Sequence, residues 1–147
     1  MEIPLDRFRQ LPTRSAPIDR LIDLFIAAEG LFFESHETEI SYKLSLRAAL
    51  ANPSDGLQPK VVFDFMRDAY KVRSHVVHGS RAIAENRRKW PRRLDGTTTD
   101  QVVDVANDLE ELMQAALLNA VREHAAGRAP RYDVRVGELL NRWDADT

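Results

Sequence analysis

The stretch Tyr70-Lys71-Val72-Arg73-Ser74-His75-Val76-Val77-His78-Gly79 closes a strongly helical apolar run that begins near Pro59. At about 100° per residue, Val62, Met66, Ala69, Tyr70, Val76 and Val77 fall on one stripe, with Arg73 near its centre. A guanidinium does not shed its charge, so an apolar face tolerates it only where a partner, a ligand or a wet cleft receives it. Arg73 is followed five residues later by His78, an R-x4-H pair at the end of the helix. The misfit of Arg73 and its spacing to His78 mark this segment as a candidate site.

Outward from this segment the chain reads as helix almost throughout. Ser15 suits the cap of a first helix with Pro17 in its first turn, and Ile18, Leu21, Ile22, Phe25 and Phe32 share a face. A second helix is expected over about 38–51, with Ile40, Leu44, Ala48 and Ala51 on one stripe. Tyr42, Leu46, Ala49 and Leu50 widen that stripe, so burial is expected around much of this helix. Asn52-Pro53-Ser54-Asp55-Gly56 is a turn, and Gly79 suits a left-handed residue at the end of the third helix.

An arginine-rich loop or broken helix is expected over 80–98. Thr99 or Asp100 then opens a long fourth helix built on Val102, Val105, Leu109, Leu112, Met113 and Ala116, ending near Gly127. Asp104, Asp108 and Glu111 are expected on its solvated face. Residues 1–14 read as an irregular arm, and residues 15–147 as one helical domain. Val134, Val136, Leu139, Leu140 and Trp143 in the tail suit a short element packing back on it. Four main helices with short connections predict an all-α helix bundle.

Composition excludes several classes. The 147 residues suffice for one domain with a core, and a charged fraction of 30% is that of an ordinary globular chain. A net charge of −2 rules out a polycation. The absence of cysteine excludes disulfides, thiolate catalysis and cysteine-based zinc sites. The first residues lack the layout of a signal peptide, and the apolar region 21–33, interrupted by Asp23, Glu29 and Gly30, is too short and polar to span a bilayer. A cytoplasmic protein without membrane attachment is therefore expected. His36-Glu37 lacks the second histidine of a zincin, and there is no glycine-rich phosphate loop or nucleophile elbow.

Three segments together carry a family resemblance: 39–50 (Glu39-Ile40-Ser41-Tyr42-Lys43-Leu44-Ser45-Leu46-Arg47-Ala48-Ala49-Leu50), Val62-Phe63-Asp64-Phe65, and the opening stretch 70–79. In order and spacing they resemble an Apea-like HEPN domain, over roughly residues 18–125. The resemblance implies an up-and-down bundle of four to five helices, usually a homodimer. It also implies cleavage of single-stranded RNA without a metal or other cofactor, in a cleft shared by two motifs. Arg73 would hold the scissile phosphate and stabilise its growing charge. His78 would move the proton of the 2′-hydroxyl or of the leaving oxygen, leaving a 2′,3′-cyclic phosphate. Ser74 stands where many nuclease members carry Asn, Asp or His, and it and His75 are auxiliary candidates. A toxin or defence role, with an antitoxin or regulatory protein as partner, belongs to the same expectation. The alternative is a non-catalytic HEPN module that binds RNA or a nucleotide, or serves dimerisation and regulation.

Plainer readings stand beside these. Arg73 would pair with Glu39 or Glu29 between helices. His78 would be favoured at a helix end by the dipole. Interhelical ion pairing would account for Glu39 and Arg47 more simply than catalysis. Arg87-Arg88-Lys89-Trp90-Pro91-Arg92-Arg93 sets five cations around one indole within seven residues, a combination suited to phosphate neutralisation and base stacking. As a solvated loop, the same segment would use Trp90 to cover the core.

Overall fold

The computed structural model describes residues 16–33, 38–52, 56–78 and 90–128. They form an all-α bundle of four helices: α1 (Pro17–Phe32), α2 (Ile40–Ala51), α3 (Pro59–Val77) and α4 (Val102–Ala125). The arm 1–14, Ser15, Gly79, Arg87, Arg88, Lys89 and the tail from residue 130 lie outside the described residues.

Local chemistry sets the helix ends. Pro17 and Pro59 occupy the first turns of α1 and α3, where a missing N–H costs nothing. Ala16, not Ser15, is the N-cap of α1. At the far end of α4, Gly127 adopts φ 71°. The Gly127 amide donates to His124 O and the Arg128 amide to Glu123 O, so two otherwise orphaned carbonyls are satisfied in a Schellman turn. Arg47, buried in α2, donates from Nη1 to Phe32 O at 2.8 Å and lies over the Phe33 ring. It thereby closes the end of α1.

α2 packs most extensively on α3 and α1 on α4, while α1 also touches α2 and α3. Phe25, Phe65, Leu44, Met66, Leu109 and Met113 are among the large, fully buried members of a single core. Truncating Phe25 or Phe65 to alanine removes about 3–5 kcal/mol. Residues 44–51 of α2 are buried on every side, Ser45 and Arg47 included.

Three faces differ from the periodicity. On α1 the buried apolar set is Leu21, Leu24, Phe25, Ala27, Ala28 and Phe32, with Asp23 buried beside them, and Ile18 is exposed. On α3 Phe65 and Val72 are buried while Val77 is exposed, so the core stripe is turned by about 30° from the expected one. That rotation moves Arg73 from the centre of the apolar face to its flank. Asp108 is buried, not solvated, because it receives Arg93 from the segment ahead of α4.

Candidate functional site

The last two turns of α3 carry Tyr70, Arg73, Ser74, His75 and, as C-cap, His78. Tyr70 is fixed by an edge-to-face contact with Phe25 of α1, ring centroids 5.5 Å apart. Its ring forms a platform for Arg73, whose guanidinium carbon lies 5.3 Å from the ring centroid. Arg73 Nη1 donates to Tyr70 Oη at 3.4 Å, and Nη2 stands 3.7 Å from Glu29 Oε1. Of the two carboxylates expected to meet Arg73, Glu29 does so. Arg73 Nε is buried without a hydrogen-bond partner. The guanidinium is thus held by one long ion pair and one long hydrogen bond, with a donor to spare.

His78 is exposed, and its amide donates to Ser74 O at 3.1 Å. Ser74 and His75 are half-buried on the same turns. α3 stays helical through Val77, so the Cα–Cβ directions of Arg73 and His78 diverge by about 140°. A single chain does not bring the pair onto one face of the helix.

Beside Tyr70 an open groove of about 730 Å³ runs between the start of α2 and α3. It is lined by Thr38, Glu39, Ser41, Tyr42, Phe63 and Arg67, together with Ile40 and Tyr70. Tyr42 and Phe63 meet edge to face at 5.8 Å, yet Tyr42 remains 56% exposed, contrary to its expected place in the apolar stripe. Arg67 is shared between Asp64 and Asp68, and its hydrogen bond to Asp68 raises its pKa above the usual arginine value. Glu39, the N-cap of α2, holds φ 58° and gives no side-chain cap. Its side chain is exposed, whereas Arg47 is engaged at the end of α1.

The cationic segment divides. Trp90 is half-buried against the core and Pro91 is buried, so the indole covers the bundle. Arg92 is exposed. Arg93 forms a two-pronged contact with Asp108 and lies 3.9 Å from Asp104. The hydrogen bonds to Asp108 raise the Arg93 pKa further above its ordinary value. Arg93 is therefore committed to α4 and leaves the set of cations open to a phosphate.

Sequence periodicity did not reveal the Phe25–Tyr70–Arg73 stack or the groove. The available signal was the aromatic content of α2 and α3 at Tyr42, Phe63 and Tyr70, which an apolar stripe alone assigns to the core. None of the described helices is long and apolar enough to cross a membrane. In comparisons with family models, curated proteins and solved structures, none matches this chain significantly.

Proposed function

We propose that this chain is a HEPN-type, metal-independent endoribonuclease acting on single-stranded RNA as a homodimer. The observation that carries the reading is Arg73: a partly exposed guanidinium on the flank of the core, loosely held by Glu29 at 3.7 Å and Tyr70 Oη at 3.4 Å. A phosphate oxygen is the natural acceptor for such a group. His78, exposed at the end of the same helix, supplies the proton-transfer group. Because the two diverge around α3, Arg73 of one copy works beside His78 of the other. The 2′-oxygen attacks phosphorus as a neutral imidazole takes its proton, and the P–O5′ bond breaks as the leaving oxygen takes a proton from an imidazolium, leaving the cyclic phosphate. Toxin or defence use, and an antitoxin or regulatory partner, belong to this proposal.

A second reading is a non-catalytic HEPN module that binds RNA or a nucleotide. The Arg73–Glu29 contact favours it, since a carboxylate already occupies part of the guanidinium. One experiment separates the two: labelled single-stranded RNA incubated with wild type, His78→Ala and Arg73→Ala in EDTA. The nuclease reading requires cyclic phosphate ends and rate reductions of about 10²–10⁴ for the histidine variant and 10²–10³ for the arginine variant. Binding without cleavage supports the module. Light scattering that finds only monomer at tens of micromolar removes the composite site.

A further inference from the structure

The aromatic groove and Arg73 share one residue. Tyr70 lines the groove, and its ring lies beneath the Arg73 guanidinium. We propose that the groove bounded by Tyr42, Phe63 and Tyr70 is a nucleobase site, seating the base of a nucleotide whose phosphate Arg73 holds. This rests on the reading of Arg73 as a phosphate ligand and adds a second contact point to it.

Three observations select a base over an apolar peptide. The wall is aromatic, with Tyr42 more than half exposed beside Phe63, which suits a flat π-face better than a branched side chain. The rim is polar: Thr38, Glu39 and Ser41 offer hydroxyls and a carboxylate to the edges of a base. The charge is arranged for a nucleotide. Arg67 is neutralised by Asp64 and Asp68 inside the groove, whereas Arg73 lies beyond Tyr70, partly exposed and only loosely paired with Glu29 at 3.7 Å. An uncharged ring would enter the groove and an anion would remain at Arg73.

The test uses the intact chain with three probes at millimolar concentration: inorganic phosphate, adenosine and adenosine 5′-monophosphate, followed by NMR titration. Tyr42→Ala is expected to weaken adenosine and its monophosphate about 5- to 150-fold, the usual worth of one base–aromatic stack, and to leave phosphate unchanged. Tyr42 is exposed, so its truncation leaves the bundle folded, as circular dichroism will verify. Arg73→Gln is expected to weaken phosphate and the monophosphate but not adenosine. The assignment is overturned if the monophosphate does not bind, if Tyr42→Ala leaves its affinity unchanged, or if an aromatic peptide saturates the groove and the nucleotide does not. Nucleotide binding that is sensitive to Tyr42, in a protein that cleaves no RNA, upholds the groove and removes the ribonuclease reading alone.

Discussion

Arg93 Nη2 stands 2.8 Å from Asp108 Oδ1 and Arg93 Nε 3.2 Å from Asp108 Oδ2, which fastens the segment after Pro91 to the second turn of α4. The same carboxylate accepts from the Leu94 amide at 3.2 Å. Asp108→Ala leaves a guanidinium and an amide without their acceptor. It is expected to lower Tm clearly more than Glu111→Ala, because Glu111 is exposed. Equal melting curves for the two variants would show that the Arg93–Asp108 pair contributes nothing.

Glu29 competes with any anion for Arg73. Glu29→Gln is expected to raise affinity for inorganic phosphate and for single-stranded RNA. The pair is partly exposed and loose, so stability changes by at most about 1 kcal/mol. Titration calorimetry reads the first effect and urea unfolding the second. Weaker phosphate binding by Glu29→Gln would mean that the carboxylate positions Arg73 rather than blocking it.

Arg87, Arg88, Lys89 and Arg92 are the cations of the 87–93 segment to neutralise together, with Arg93 left intact because Asp108 holds it. If they touch RNA backbone, the slope of log K against log salt falls by about 0.7 for each single-strand phosphate that the variant no longer neutralises. An unchanged slope in the glutamine variant would make this segment a connector.

Burial pushes the Asp68 carboxyl upward, but hydrogen bonds from Arg67 and Lys71 outweigh it and leave its pKa below the ordinary 3.8. A folded value below the unfolded one contributes stability that is present above pH 3.8 and disappears as pH falls through the folded value. Asp68→Asn is expected to flatten the acid limb of Tm against pH while also lowering the plateau near neutrality slightly. A wild-type acid limb retained in the variant would place the titration elsewhere.

Glu39 holds φ 58°, a left-handed conformation that costs an L-residue about 1–2 kcal/mol. Glycine adopts it freely and is also an acceptable N-cap. After the entropy glycine loses on folding, Glu39→Gly is expected to stabilise the protein by about 0.5–1 kcal/mol in urea unfolding. A destabilised variant would show that the exposed Glu39 side chain makes a compensating interaction.

By itself the sequence determined the helices and their order, because apolar periodicity, Pro17, Pro59 and Gly127 act within a turn or two of their own positions. It also singled out Arg73, since a charge on an apolar stripe is a local contradiction. Which part of each stripe faces inward depends on the neighbouring helix, and here Phe65 and Val72 outweigh Tyr70 and Val77. The choice of Glu29 over Glu39 for Arg73, of Asp108 for Arg93, and the meeting of Tyr42 with Phe63 all join residues far apart in the chain. Such pairings are decided by how whole helices pack, because a side chain's partner is set by three-dimensional proximity and not by spacing along one helix.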